Sequence, residues 1–127
     1  MPRQTFFPNP DNKPNGFSPA ARVGNTVFTS GQVSADAGGA LVGEGDCGAQ
    51  AKQCFDNVEA ALKAAGASMS DVTKITAFLV DVGDYPAYAA ERLRRFPADG
   101  PASSTVIIRA LVLPEYLVEI EAVAMIA

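Results

Sequence analysis

The segment from Ala49 to Ala65 constrains the fold most, because its apolar residues recur with the period of an α-helix. The apolar positions are Ala51, Cys54, Phe55, Val58, Ala61, Leu62 and Ala65. Charged and amide residues occupy the other side of each turn, and Gly66 stands where a left-handed residue ends a helix. A helix with one apolar side must bury that side, so we expect it to pack against a sheet built from the rest of the chain.

The remaining elements are runs of β-branched and aromatic residues separated by turn residues. Gly24-Asn25 is a two-residue hairpin signal, and Asp84 with Pro86 marks the start of a second helix that ends near Phe96. We predict strands at Arg3–Phe7, Thr26–Ser30, Val72–Val80, Ser104–Leu111 and Leu117–Ile126, with a short one at Ala40–Val42.

This order of elements predicts an α+β fold in one domain over residues 1–127, with two helices on one face of a mixed sheet. Both alternating sets of side chains in Val72–Val80 are largely apolar, with Lys74 as the only charge. Helices on one side therefore leave a second apolar face uncovered. We expect the chain to bury that face in a closed symmetric oligomer.

The net charge of the chain and the absence of histidine exclude several classes of function. The chain has no histidine, which excludes Ser-His-Asp triads, Cys-His pairs and histidine-ligated metal sites. Its 10 basic and 14 acidic residues give a net charge of −4, so we expect no nucleic-acid partner. The basic cluster Arg92, Arg94 and Arg95 is interpreted as a solvated face of the second helix.

The two cysteines, Cys47 and Cys54, would lie two helical turns apart, about 10.5 Å along the axis and beyond the reach of a disulfide. We expect buried free thiols in a reducing compartment. The polar N-terminus does not resemble a signal peptide, and no apolar run is long enough to span a membrane. These features predict a cytoplasmic protein that does not contact a membrane.

Several stretches together resemble the Rid family, the YjgF-type enamine/imine deaminases. They are Val23–Gln32, Ala49–Leu62 with Ala65-Gly66, Lys74–Asp81, Pro101–Val106 and Leu117–Ala124, and they cover nearly the whole chain in order. The resemblance implies a chorismate-mutase-like fold, a homotrimer and small-molecule clefts between subunits. It also implies hydrolysis of reactive enamines and imines to keto acids and ammonia, without a metal or organic cofactor.

Three positions match the working residues of that family, and a fourth, Phe17, departs from them. Ser30 and Gly31 match a Ser-Gly pair that lines the floor of the cleft, and Glu119 matches an acidic residue that positions water and handles protons. Phe17 stands where deaminating members usually have tyrosine, so the ring is kept and the hydroxyl is lost. Taken without the family, Glu119 and Glu121 share one side of a strand, which also fits an ordinary exposed face.

Ser103 is the largest departure, because the deaminases place there an arginine that holds the substrate carboxylate. Thr105 stands where many members have cysteine. Arg109 lies roughly 20 Å further along the same predicted strand, and an arginine of a neighbouring subunit, such as Arg3 or Arg22, is the remaining source of a guanidinium. We therefore expect a substrate without a carboxylate at this point, or a protein that binds without catalysing.

Three functions are consistent with these residues. In an imine or enamine hydrolase, Glu119 directs water to the imine carbon while Ser30, Gly31 and Ser103 orient the small-molecule substrate. In a binding or regulatory module, the trimer keeps its clefts and uses them only to hold a small molecule. Endoribonuclease activity ranks last, because the chain lacks histidine and carries a negative net charge.

Overall fold

The computed structural model describes residues 1–127, which form six strands and two α-helices. The elements are β1 (Gln4–Phe6), β2 (Ala20–Val23), β3 (Thr26–Thr29), α1 (Cys47–Ala64), β4 (Val72–Leu79), α2 (Tyr85–Arg95), β5 (Ala102–Ile107) and β6 (Val118–Met125). The strands form one sheet in the order β1-β2-β3-β6-β4-β5, in which only β4 and β5 run parallel. The predicted α+β fold with a mixed sheet is confirmed.

Helix α1 follows the sequence pattern closely. Asp46 caps its first turn by accepting a hydrogen bond from the Ala49 amide at 3.0 Å. Gly66 ends it with a φ of +88°, and the Ala67 amide then bonds the Leu62 carbonyl at 2.8 Å, as in a Schellman turn. Its apolar side is buried against the sheet, as the periodicity predicts.

Strand β6 shows how the two faces of the sheet differ. Val118, Ile120, Ala122 and Ala124 are all buried under α1, while the alternating Glu119, Glu121 and Val123 are only partly buried. Helix α2 packs beside α1 on the same side of the sheet. No helix covers the opposite side, which we call the open face, and its side chains remain exposed at Phe28 (49%), Val106 (42%) and Met125 (55%).

The structure corrects some of the predicted boundaries. Strand β5 ends at Ile107 and not at Leu111, because its partner β4 ends at Leu79, the residue paired with Ile107. The segment 40–42 is not a strand and has only an isolated bridge between Ala35 and Leu41. Asp84 stands at the N-cap position of α2, but its side chain makes no capping hydrogen bond.

Both cysteines are free and buried, as predicted. Burial, reinforced by Asp84 and Asp46, raises the pKa of Cys47 to about 12, and burial also raises the pKa of Cys54. Neither thiol is therefore ionised near neutral pH, which argues against a cysteine nucleophile. Neither helix combines the length and apolar character that a membrane crossing needs.

Candidate functional site

Glu119 lies on the open face of the sheet, directly against the backbone of Gly31. A Cβ built on Gly31 would stand 2.6 Å from Glu119 Cδ, closer than real Cβ atoms approach a neighbour. The chain is held there because Gln32 pairs with Ile120 through two backbone hydrogen bonds of 2.8 and 3.0 Å. A side chain at position 31 would therefore displace the Glu119 carboxylate from its present position.

The carboxylate of Glu119 has no cationic partner, since none of the ion pairs of the fold includes it. Burial raises the pKa of Glu119 above its ordinary range, and the like charge of Glu121 on the same strand adds to the rise. A carboxyl group with a raised pKa and no counter-ion exchanges its proton closer to neutral pH. General acid–base catalysis requires that property.

Ser30 connects this strand end to the preceding loop. Its hydroxyl donates to the Ser18 carbonyl at 2.6 Å, and its amide donates to the Pro19 carbonyl at 2.8 Å. Phe17, at the start of that loop, is 59% exposed. A groove of about 650 Å³ is lined by Phe17 and Gly31 but not by Ser30 or Glu119. The structure thus brings these four predicted residues to one end of the sheet without converging them on a single cavity.

Ser103 and Thr105 lie on the other side of the sheet from Glu119. The parallel register pairs Ser103 with Ile75 and Thr105 with Ala77, both of which are buried beneath the helices. Glu119 pairs with Phe78, the next residue along β4, and successive residues of a strand point to opposite faces. One protomer therefore cannot present Glu119 and Ser103 to the same small molecule.

Ser103 lies beside a cluster of three α2 side chains (Tyr85, Tyr88 and Arg92), none of which was predicted as a site residue. Arg92 donates from Nη1 to Ser103 Oγ at 3.3 Å and from Nη2 to the Tyr85 hydroxyl at 2.8 Å. Its guanidinium carbon lies 5.3 Å from the ring centroid of Tyr88 and 5.6 Å from that of Tyr85. The spacing of these residues at i, i+3 and i+7 was the available signal, because it places them on one side of a helix.

Tyr88 is fully buried, and its hydroxyl has no hydrogen-bond partner at bonding geometry. Burial raises the pKa of Tyr88, while the nearby Arg92, Ser103 and Thr105 act in the opposite direction. The hydroxyl therefore lies among these three groups. Together they form a polar cluster at the edge of the helix-covered side, open to solvent at the exposed Ser103.

The interpretation of the α2 arginines as a solvated face is correct for one residue only. Arg94 is largely exposed and pairs with Glu91. Arg95 reaches across to α1, where it pairs with Asp56 and donates to the Lys52 carbonyl at 3.1 Å. Arg92 lies on the tyrosines. The pattern of charges in the sequence could not show that Arg92 and Arg95 are partly buried, because the aliphatic part of an arginine side chain can pack along apolar and aromatic surfaces.

Arg22 is not free to supply a guanidinium to the site of a neighbouring subunit. Its Nε donates to the Gly24 carbonyl at 2.8 Å, and Nη1 donates to the Ala65 carbonyl at 2.9 Å beyond the end of α1. These bonds tie Arg22 to its own protomer. No three aspartate, glutamate and cysteine side chains converge in a group that could hold a metal ion.

The family model described as endoribonuclease L-PSP matches residues 10–126 of the chain. The chain belongs to this family. The resemblance to the Rid proteins is confirmed, because the crystal structure of RidA from an Antarctic Psychrobacter superposes with a TM-score of 0.85 at 34% identity. That match covers 97% of this chain and 99% of the RidA chain. The observed α+β arrangement is thus the fold of this family, the chorismate-mutase-like fold that the resemblance implies.

Two relatives that are named as deaminases are similar to this chain over much of their length. The chain is 34% identical to the 3-aminoacrylate deaminase RutC of Acinetobacter baylyi over 125 residues, which cover 98% of both chains. It is 38% identical to a 2-iminobutanoate/2-iminopropanoate deaminase of Dermatophagoides farinae over 90 residues. This match covers 71% of the chain and 70% of the relative.

Proposed function

We propose that this L-PSP family protein is a deaminase that hydrolyses a small imine or enamine to a carbonyl compound and ammonia. The observation that carries the proposal is the Glu119 carboxylate, which is partly buried, has no counter-ion and lies against the bare backbone of Gly31. The two relatives named as deaminases support the same reaction class. The chemistry is assigned to protein side chains and water.

The proposed reaction adds one water across a carbon–nitrogen double bond. Glu119 takes a proton from the attacking water as the C–O bond forms, the π electrons move to nitrogen, and Glu119 returns that proton to the nitrogen. The resulting carbinolamine collapses when Glu119 carries the hydroxyl proton to the nitrogen, so that the C=O bond forms, the C–N bond breaks and ammonia leaves. An enamine enters the same path after protonation at carbon. A buried carboxyl group with a raised pKa suits this role, because it must both accept and return a proton.

The proposed site is a cleft between subunits of a homotrimer. Glu119 and Ser103 face opposite sides of the sheet, so a second subunit must supply one of them. The apolar side chains on the open face, together with β5 at the edge of the sheet, supply surface for such an interface. In this arrangement Phe17, Ser30, Gly31 and Glu119 come from one subunit, and Ser103 with Thr105 comes from its neighbour.

The substrate depends on what holds its far end near Ser103. A serine there favours a substrate without a carboxylate, unless another residue provides the guanidinium. The proposed partners are thus small molecules and further copies of the chain, with neither nucleic acid nor membrane involved. We place the reaction in the cytoplasm, where the two free thiols would stay reduced.

A binding or regulatory module is the alternative, in which the same clefts hold a small molecule without turning it over. Endoribonuclease action stays last, despite the description of the family. The chain has no histidine, and the guanidinium groups of Arg94 and Arg95 are paired with carboxylates and so less available to a phosphate backbone.

An imine-clearance assay tests the proposal. We generate 2-iminopropanoate or its uncharged amide in situ, so that the assay does not depend on a substrate carboxylate. We trap the remaining imine with semicarbazide and compare the native protein with Glu119→Gln and the matched control Glu121→Gln on both substrates. We expect native turnover, a loss of at least about a hundredfold in Glu119→Gln and near-native turnover in the control. Because the pKa of Glu119 is raised, its base activity should disappear on acidification at a higher pH than for an ordinary glutamate. Full activity of Glu119→Gln would contradict the proposal, and inactivity of the native protein would favour the binding module.

A further inference from the structure

Although position 103 is a serine and not an arginine, another positive charge lies close to it. Arg92 extends from α2 over the beginning of β5, and its Nη1 lies 3.3 Å from Ser103 Oγ. The sequence substitution thus removed a guanidinium from the strand, while the fold brings another one to the side chain that replaced it. Helix and strand meet here on the helix-covered side of the sheet.

Arg92 differs from its two neighbours on α2 in lacking a carboxylate partner. Arg94 pairs with Glu91, and Arg95 pairs with Asp56 on α1. No aspartate or glutamate oxygen lies within 4 Å of the Arg92 guanidinium, whose protein contacts are hydroxyl groups and aromatic rings. A charge that the protein itself does not neutralise is available to an anion.

The guanidinium is also held in position before any ligand arrives. The tyrosine hydroxyl at 2.8 Å and the two flanking rings restrain its position. A guanidinium carries about five N–H donors, and these two side-chain hydrogen bonds engage two of them, so others remain for a carboxylate. Arginine fixed in this way loses little side-chain entropy on binding.

The surroundings of Arg92 point to a ligand independently. Tyr88 buries a hydroxyl that has no hydrogen-bond partner, next to Ser103 and Thr105. A buried polar group without a partner is costly, and such groups are uncommon in folded proteins. The hydroxyls of Ser103 and Thr105 can relay hydrogen bonds between Tyr88 and an oxygen seated on Arg92.

We infer that Arg92 holds the substrate carboxylate in this protein, in place of an arginine at position 103. The inference rests on the proposed function and names its substrate class, a small imine or enamine that carries a carboxylate next to the reacting carbon. Arg92 and the hydroxyl of Ser103 together form the carboxylate site, and the neighbouring subunit supplies Glu119. The expected restriction to substrates without a carboxylate does not apply under this assignment.

Calorimetric binding of the reaction's keto-acid product tests the assignment without requiring turnover. The ligands are 2-oxopropanoate and its uncharged amide, which differ only in the carboxylate. They are titrated into the native protein, Arg92→Gln and Arg94→Gln, the last being a matched control on the same helix. We expect the native protein and Arg94→Gln to prefer the acid over the amide. Arg92→Gln should bind the acid roughly tenfold to a hundredfold more weakly and lose the preference.

A rescue variant separates a lost contact from a damaged fold. Arg92→Gln combined with Ser103→Arg restores a guanidinium from the strand, and the preference for the acid should return. The assignment is overturned if Arg92→Gln binds the acid as the native protein does, or if the native protein does not distinguish acid from amide. Failure of the deaminase proposal would give a different result: the native protein would still bind the acid but would clear no imine.

Discussion

The two faces of strand β6 place neighbouring residues in opposite environments. Ile120 is fully buried under α1, whereas Glu119 and Glu121 on either side of it face outward and carry charge. On the covered side every second residue is small or aliphatic and packs into one cluster with the helices. On the open side Glu119 and Glu121 are followed by the apolar Val123 and Met125, and no helix packs over them.

This contrast separates what folds the chain from what the chain does. The covered side holds nearly all of the core, and its free energy of burial stabilises the protomer. The open side adds little to the protomer, yet it carries the proposed catalytic carboxylate and the surface for the neighbouring subunit. Substitutions on the two sides should therefore affect different measurements.

The largest effect is expected from a charge on the open face. Val106→Glu places a carboxylate beside Phe78, where the proposed trimer buries both side chains. Taking an unpaired charge out of water costs several kcal/mol at each interface. We expect the particle mass from light scattering to fall to that of a monomer and imine turnover to reach background.

The matched control is Leu93→Glu, which adds the same charge at a 63% exposed position on α2, away from the open face. Its mass and turnover should stay native. A native mass for Val106→Glu would show that the open face is not the interface.

On the covered side, Ile120→Ala should destabilise the protomer by about 2–5 kcal/mol, because it truncates a fully buried side chain and leaves an apolar cavity in the core. Glu121→Gln, one residue away on the opposite face, should change the free energy of unfolding by less than about 0.5 kcal/mol. Urea denaturation of both variants measures the difference. Equal shifts would mean that the two faces do not differ as described.

The smallest effect is expected from adding a single carbon atom on the open face, at Gly31. Gly31→Ala pushes its new Cβ into the Glu119 carboxylate and should reduce kcat by about tenfold to a hundredfold, with little change in stability. Gly48→Ala in the first turn of α1 is the control, since a Cβ there meets its neighbours at ordinary distances of 3.5 and 3.8 Å. An unchanged kcat in Gly31→Ala would show that the close approach of Gly31 to Glu119 is not needed for the reaction.

The covered side was readable from the sequence because it depends on local periodicity. The helix of Ala49–Ala65 and the hairpin at Gly24 lie within a residue or two of their predicted positions. The end of β5 was predicted too late, because the length of an edge strand is set by its partner β4 and not by its own β propensity.

The candidate site was only partly readable, for a related reason. The motif residues Gly31 and Glu119 lie in contact, since one backbone pairing at Gln32 joins their segments. The position of Arg92 depends on how α2 packs over β5, and no motif encodes that packing. Its sequence signal was the spacing to Tyr85 and Tyr88, which charge counting ignores.

The placement of Glu119 and Ser103 on opposite faces has a consequence for genetics. Under the proposed arrangement each reaction centre draws its carboxylate from one polypeptide and its guanidinium from another. Two alleles, one altered at Glu119 and one at Arg92, would each be inactive alone. Expressed together, they would assemble mixed trimers in which some clefts combine an intact Glu119 with an intact Arg92, so that two defective copies restore a working enzyme.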